Sequence, residues 1–258
     1  MKYKKWIAVV CCAVVALGWS WGTKQKEMTT RTVSVGSFDK IHITGDFDVV
    51  IHAGEKDFVQ LLGPINILEK AILQTADNTL GASYVRSGWN KKMPRLRLKI
   101  SVSALKEVNL EARSQAKLQG SFSGTHFAVY ASGHSEFSAE NLNVSTLHIV
   151  ASDEADVDID QLQAESVDVR ANGQAEVELS GLAHEATLEN KGSGKLDAED
   201  LRVHSGVVRL EGKGDVKVSA YEQLHALVLG KGNIFYKGSP VSVHKEGNVR
   251  QIVPDLED

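Results

Sequence analysis

A short motif recurs about every twenty residues along the C-terminal half of the chain, and it limits the possible folds more than any other feature. In each copy a small residue is followed two positions later by an aliphatic or aromatic one, as in ASGHSEF at 131–137 and ANGQAEV at 171–177. Such a period is typical of a solenoid in which each repeat forms one stacked coil. The small residues are Ala116, Ser135, Ala155, Ala175, Gly194, Gly214, Gly232 and Gly247, at spacings of 15 to 20 residues.

Aligned on the small residue, the repeats show three columns of apolar residues. The columns lie six positions before it, two positions after it and seven positions after it. Because successive residues of a strand face opposite sides, three columns predict an all-β tube with three inward sides and strands that run parallel between coils. The columns are Leu110, Val129, Ile149, Val169, Leu188 and Val208; Leu118, Phe137, Val157, Val177, Leu196, Val216, Ile234 and Val249; and Leu142, Leu162, Leu182, Leu201 and Tyr221.

The third place of the motif is predicted to form a corner of each coil. Glycine and aspartate are the residues expected where φ is positive, and stacked corners leave little room for a Cβ. The last copy has Lys245 at this place and a shortened spacing, which predicts a cap over an otherwise open sheet edge. The corner residues are Gly133, Asp153, Gly173, Gly192, Gly212 and Gly230.

Residues 1–22 have the composition of a secretory signal peptide. Three lysines precede an apolar run at 6–17, which is short for a membrane span, so we favour cleavage near Ser20 or Gly22 over a permanent anchor. Both cysteines lie in this segment, and Val10 argues against lipidation of Cys11. We therefore expect the mature protein to be exported, to contain no thiols and to lie in the periplasm or on the outer cell surface. We expect it to contact the membrane only if residues 1–22 stay uncleaved.

The rest of the chain divides into a polar lead-in at 23–32, one β-helix domain at 33–250 and a tail at 251–258. Within the domain, an N-terminal β region at 33–103 precedes regular coils at 104–250. Residues 64–73 are compatible with either a short helix or a pair of strands. At 96–103, by contrast, apolar and polar residues alternate as they do in a half-buried strand. ITGDFDV at 43–49 already resembles the repeat, so coiling is expected to begin before the regular period.

Three segments together resemble the family of the putative auto-transporter adhesin, head GIN domain, of secreted bacterial proteins. They are the opening SFDKIHITGDFDVVIHAGE, the spaced G-x-G-x-aliphatic turns, and the ending LGKGNIFYKGSPVSVHKEGNV with its Y-x-G-x-P at 236–240. The likeness covers Val33 to Val249. It implies a single-stranded right-handed parallel β-helix, export to the Gram-negative envelope and an adhesive role, and it supplies no catalytic residues. Asp153, Glu154 and Ala155 depart from the usual Gly-x-Gly turn.

Carboxylates recur on one outward face of the coils. If the coils stack in register, like charges face each other across strands, which is destabilising unless a hard cation such as Ca²⁺ binds between them. We favour a solvated acidic face diluted by lysines, because no calcium loop is recognisable, and we expect no cofactor otherwise. The candidate calcium ligands are Asp156, Asp158, Glu176, Glu178 and Asp197.

The irregular region contains a cluster of aromatic and cationic residues. Such a cluster suits an anionic glycan or a lipid headgroup, although Trp89 is favoured as a cover for the N-terminal end of the tube. The candidate ligand-binding residues are Tyr84, Arg86, Trp89, Lys91 and Lys92.

The composition narrows the function. A formal charge of −4 argues against nucleic acid as a partner. The nine histidines show no metal-binding spacing, and no nucleophile motif is present. We predict a non-enzymatic adhesion or binding module whose partner is a glycan or another envelope or surface protein. Two alternatives stay open, namely a structural envelope scaffold without a specific ligand and a β-helix enzyme acting on polysaccharide.

Overall fold

Each repeat folds into one coil of a parallel β-helix of about seven turns, as the period predicts. The computed structural model describes residues 28–84 and 95–255. Alternating apolar and polar residues make almost every coil continuous strand, interrupted at the motif's corner. The strands of the regular part are β8 (Glu107–Ala112), β9 (Gln115–Ala131), β10 (Glu136–Ala151), β11 (Asp156–Ala171), β12 (Glu176–Asn190), β13 (Leu196–Leu210) and β14 (Val216–Val228), preceded by β1 to β7, whose bounds are given below.

The strands of neighbouring coils are parallel and pair repeat on repeat. Phe137 of β10 lies opposite Val157 of β11, which lies opposite Val177 of β12. The first predicted column is at most 1% exposed, and so is the second from Leu118 to Ile234. These ladders form the core, so the predicted inward positions are confirmed there.

The second column departs from the prediction at its two ends. In β9, Ala116 lies opposite Phe137 and Leu118 lies opposite Ala139, so this repeat is displaced by two residues. A displacement of two keeps each side chain on its face of the sheet. At the other end Val249 is 48% exposed, and Ile252 takes the expected place opposite Ile234.

The third column is confirmed for Leu142, Leu162 and Leu201, which are buried, and is wrong for Leu182 and Tyr221. β12 has one residue fewer than β11 at its bend, so Gly181 lies opposite Leu162 and Leu182 turns outward, 51% exposed. β14 is shortened at the same bend. Tyr221 is consequently 40% exposed and lies under the guanidinium of Arg202, 4.9 Å from its ring centre.

Two kinds of corner connect the coils. Gly133, Asp153 and Gly173 have φ of 76°, 63° and 67°, which confirms the predicted left-handed conformation. The prediction is wrong for Gly192, Gly212 and Gly230, whose φ lies outside that region. These three glycines serve close approach instead, because a Cβ on Gly212 would lie 1.8 Å from the carbonyl oxygen of Gly192.

The N-terminal region forms two further coils in an order that differs from the chain order. β2 lies between β6 and β8, and β3 lies between β7 and β9, all parallel. Coiling therefore begins before the regular period, as 43–49 predicts. The elements are β1 (Met28–Val33), β2 (Lys40–Gly45), β3 (Phe47–Ala53), β4 (Phe58–Pro64), α1 (Ile65–Leu68), β5 (Ile72–Ala76), β6 (Thr79–Tyr84) and β7 (Leu96–Val102).

Antiparallel strands cover this end of the solenoid. β4 pairs with both β1 and β7, and β5 pairs with β6. The predicted lead-in thus overlaps β1, and 64–73 contains the short helix α1 as well as the start of the β5–β6 pair. In β7 the alternation is confirmed, with Leu96, Leu98 and Ile100 fully buried.

The C-terminal coil is short and exposed. It consists of β15 (Ile234–Lys237), β16 (Ser242–Gly247), a 3₁₀ turn (Val249–Gln251) and β17 (Ile252–Pro254). β15 and β16 both pair with β14, and β17 pairs with β15, so residues of the predicted tail complete the solenoid. No helix in the part of the chain that the structure describes is long and apolar enough to cross a membrane.

Candidate functional site

The predicted acidic residues stack in register on one outward face. Asp156 lies opposite Glu176, Asp158 opposite Glu178, and Glu178 opposite Asp197. Partial burial raises the pKa of Asp156, and the charges of Glu136, Glu176 and Glu178 raise it further. Burial and then the charge of Asp160 raise the pKa of Asp158. The face is therefore crowded with negative charge.

Lysines form ion pairs with carboxylates at the margin of the acidic face. The ammonium of Lys195 lies 2.5 Å from a carboxylate oxygen of Asp197, and that of Lys117 lies 2.5 Å from Glu140. Within residues 28–84 and 95–255, no three ligand atoms of the acidic face lie within 4.8 Å of one another. The calcium site stays a prediction that this geometry does not favour.

The predicted ligand-binding cluster is described only at Tyr84. The Tyr84 side chain is 2% exposed and packs edge-to-face on Phe47, with ring centres 6.1 Å apart. It belongs to the core and offers almost no surface to a ligand. Arg86, Trp89, Lys91 and Lys92 lie outside the described residues.

A groove of about 530 Å³ runs along the corners of three successive coils, and we call it the lysine corner. Its floor is glycine backbone and its rims carry Lys191, Lys213 and Lys231, which are all exposed. Beside them Leu229 exposes 59% of its surface. The lining residues are Gly173, Lys191, Gly192, Ser193, Glu211, Gly212, Lys213, Leu229, Gly230 and Lys231.

Close stacking of the corners determines the shape of this groove. The N–H of Lys213 donates to the carbonyl of Gly192, and that of Lys231 donates to the carbonyl of Gly212, both at 2.8 Å. Since neighbouring strands lie about 4.8 Å apart, Lys213 and Lys231 form a column of two cations. The glycines beside them have no side chains that would hinder the approach of a ligand to the lysines.

The two stacked lysines differ from their neighbours in having no counter-ion. Lys191 pairs with Glu189 at 2.9 Å, whereas neither Lys213 nor Lys231 forms an ion pair in the part of the chain that the structure describes. Two cationic side chains on adjacent coils concentrate positive charge at this corner, and that charge attracts an anion. The lysine corner is therefore suited to binding an anionic group.

Lysines on the next face are already neutralised. Lys217 and Lys237 both contact the carboxylate of Glu199. Their hydrogen bonds lower the pKa of Glu199 below its usual value. This face therefore offers an incoming anion less attraction than the lysine corner does.

Sequence reasoning missed the lysine corner, although a signal was present. The tripeptide GKG occurs at 212–214 and again at 230–232, with the lysine at the fourth place of the motif in both. Two equal cations at equivalent places of adjacent repeats must stack. That neither forms an ion pair with another described residue depends on side-chain packing, which the repeat does not reveal.

A second missed cluster lies on the last coil. His225 of β14 lies opposite His244 of β16, and both rings contact Glu246. The signal was the near-regular recurrence of histidine at 184, 204, 225 and 244. The bulge in β14 splits this series into two separate pairs, because His225 lies opposite Val207 rather than His204.

Comparison with solved structures shows the same fold in several proteins. A "putative adhesin" of Bacteroides fragilis is 24% identical, with a TM-score of 0.64 over 86% of this chain and 94% of that one. A "putative adhesin" of Parabacteroides merdae is 19% identical, with a TM-score of 0.76 over 90% and 98%. A "putative lipid binding protein" of Parabacteroides distasonis is 18% identical, with the same TM-score and coverage.

Comparison with curated proteins found no match. Comparison with protein families matched residues 37–240 to the family described as "Putative auto-transporter adhesin, head GIN domain". The match spans most of the chain and agrees with the resemblance of its opening, turns and ending. This protein therefore belongs to the putative auto-transporter adhesin, head GIN domain family.

Proposed function

We propose that this chain is an exported envelope protein that binds an acidic polysaccharide at the lysine corner. The observation that carries the proposal is the stacked pair Lys213 and Lys231, exposed over a glycine floor and without a carboxylate partner among the described residues. Membership in an adhesin family supports a surface binding role, and the basic n-region with its short apolar run supports export.

A polymer with repeated negative charges suits this groove for geometric reasons. The two cations are spaced along the solenoid axis by one coil, so they can contact charges on one extended chain at the same time. Gly212 and Gly230 line the groove without side chains that would hinder a sugar ring, and Leu229 offers an apolar contact beside the charges. An acidic polysaccharide combines charge, hydroxyl groups and apolar ring faces in this way.

The test is binding of the purified protein to dextran sulfate, with uncharged dextran as the comparison. We expect binding to the sulfated polymer alone, weakening as salt is raised because exposed charges are screened within about 8 Å at physiological ionic strength. Lys213→Gln combined with Lys231→Gln is expected to weaken binding about tenfold, since each exposed charge pair contributes up to about 1 kcal/mol and about 1.4 kcal/mol in total corresponds to a tenfold change.

The matched control changes the same number of lysines elsewhere. Lys56 and Lys70 are exposed and lie far from the groove in sequence, so Lys56→Gln with Lys70→Gln alters net charge equally. Equal loss of binding in both double variants would show general charge attraction and overturn the proposed site. Binding to phosphatidylglycerol vesicles without binding to polysaccharide would also overturn it, in favour of the lipid that one structural neighbour's description names.

The proposed role is non-catalytic. Relatives in the family are described as adhesins, and the groove that we assign is lined by lysine and glycine with one carboxylate, Glu211. Glycoside hydrolysis ordinarily requires two carboxyl groups across the scissile bond. Dextran sulfate and other bound acidic polysaccharides are therefore expected to keep their length on prolonged incubation, which size-exclusion chromatography would measure.

A further inference from the structure

The last coil brings two histidines and a glutamate together on one outward surface. β14 and β16 are parallel neighbours, and their pairing sets His225 beside His244. Glu246 follows His244 by two residues, so the alternation of a strand places both side chains on the same face. Residues 21 apart in sequence thus converge through strand register.

The donor atoms of this cluster point at one another. Nε2 of His225 lies 3.0 Å from Oε1 of Glu246, and Nε2 of His244 lies 2.9 Å from the same oxygen. All three ligand atoms lie within 4.8 Å of one another. The side chains are 47%, 67% and 46% exposed, so a cation and its remaining water ligands can reach them.

The two nitrogen–oxygen separations are close to those of a tetrahedral metal site. Zn²⁺ binds imidazole nitrogen and carboxylate oxygen at about 2.0–2.2 Å, which sets neighbouring ligand atoms about 3.3 Å apart. The atoms observed at 2.9 and 3.0 Å need to separate by only a few tenths of an ångström. Exposed histidine and glutamate side chains make that adjustment by small rotations.

We propose that His225, His244 and Glu246 form a binding site for a divalent transition metal of the zinc type. Two imidazoles and one carboxylate are the ligands such cations prefer, whereas Ca²⁺ prefers oxygen alone. Three protein ligands leave a fourth position for water or for a donor from a bound molecule. The metal joins β16 to β14 and so fastens the last coil to the solenoid.

A second histidine pair on the same molecule supplies the matched control. The rings of His184 and His204 stack with centres 4.8 Å apart and planes 12° from parallel. Neither ring forms an ion pair with a carboxylate in the described part of the chain. This pair has two imidazoles without the third ligand, so it tests whether any two neighbouring histidines suffice.

The experiment is isothermal titration of the purified full exported chain, without an affinity tag, with ZnCl₂. We expect one equivalent to bind. His225→Ala, His244→Ala and Glu246→Gln should each weaken that binding at least about tenfold, comparable to or above the loss on removing an outer-shell partner. His184→Ala with His204→Ala should leave it unchanged. The absorption of bound Co²⁺ provides a second readout of nitrogen and oxygen coordination.

Two results would overturn the proposal. One is the absence of stoichiometric binding by the parent protein. The other is equal binding by the parent and by the His225→Ala, His244→Ala double variant, once circular dichroism shows that both are folded. Zn²⁺ should also raise the melting temperature of the parent and not that of the double variant, because a ligand that binds only the native state stabilises it.

Discussion

At the scale of single residues, positions that build the tube are distinct from positions that face solvent. Gly212 and Gly230 allow neighbouring corners to approach, while Lys213 and Lys231 beside them extend into solvent. Asp156 and Asp158 face outward as well, but they repel their neighbours across the strands. The structural and functional demands on adjacent residues therefore differ, and each can be tested separately.

Replacing a corner glycine tests the close approach. A Cβ on Gly212 would lie 1.8 Å from the carbonyl oxygen of Gly192, so Gly212→Ala must displace backbone and should lower the free energy of unfolding by at least about 2 kcal/mol. Gly124→Ala is the matched control, because no atom lies within 4 Å of a Cβ there. Urea denaturation measures both. Equal stability of the two variants would contradict the stacked corner.

Replacing Asp158 tests the repulsion on the acidic face. Its pKa is raised in the folded protein, so the folded state binds a proton more readily than the unfolded chain. The cost of ionisation is therefore present at pH above the folded pKa and absent below the unfolded value of about 3.9. Asp158→Asn should stabilise the protein at pH 7 by about 0.2–1 kcal/mol and lose this gain near pH 3.

The measurement is the melting temperature of both proteins across this pH range. Asp200→Asn serves as the control, because Asp200 is exposed and its substitution removes the same charge outside the stacked carboxylates. A gain at pH 7 that persists at pH 3, or an equal gain for Asp200→Asn, would contradict repulsion within the acidic face.

At the scale of elements, parallel strands form the body of the solenoid and different devices cover its ends. β1, β4 and β5 pair antiparallel at the N-terminal end. At the C-terminal end, β17 returns and pairs with β15. Lys245 extends over the ring of Tyr236 and donates to the carbonyl of Ile252 at 3.0 Å. Covered ends keep a stack of open-edged strands from pairing with other chains.

Replacing Ile252 tests the C-terminal cover. Its side chain is 3% exposed opposite Ile234, whereas Val253 on the other face of β17 is 37% exposed. Ile252→Ser should lower the free energy of unfolding by about 2–4 kcal/mol, because it empties a core position and buries a hydroxyl. Val253→Ser should cost less than about 1 kcal/mol. Thermal denaturation compares them, and equal losses would contradict a capping role for β17.

The sequence period predicted the inward ladders because the same apolar side chains fit both the two-residue alternation of a strand and the twenty-residue repeat of the coils. Leu188 and Val208 are buried as expected for this reason. The prediction failed at Leu182 and Tyr221, because β12 and β14 each have fewer residues at a bend than the strand before it. These deletions shorten the spacing to 19 residues from Ala175 to Gly194 and to 18 from Gly214 to Gly232, but the spacing alone does not show where in the coil the missing residues fall.

The candidate sites were less predictable than the core. The acidic residues could be placed in register from spacing alone, since each lies in a regular part of the repeat. The separation of His225 from His204 could not be predicted, because the irregular register between β13 and β14 sets His225 opposite Val207. The absence of an ion pair at Lys213 among the described residues depends on how side chains pack, since the carboxylate of Glu211, which lines the same groove, contacts Arg209 instead.

At the scale of the whole molecule, the solenoid is a support along which side chains of the same type recur from coil to coil. Acidic side chains occupy one face of the middle coils, lysines occupy a corner of the later coils, and histidines with a glutamate occupy the last one. A binding module built in this way can contact a long polymer at several equivalent points. The lysine corner is the part of the described surface best suited to an anionic chain.

Hydrogen–deuterium exchange with and without dextran sulfate locates the binding surface without assuming it. We expect the polymer to slow amide exchange in segments 189–194, 209–214 and 228–232, which form the lysine corner, and to leave β1 to β7 unchanged. Slowed exchange confined to other segments, or no slowing at a polymer concentration that saturates binding, would contradict an anionic polysaccharide site at the lysine corner.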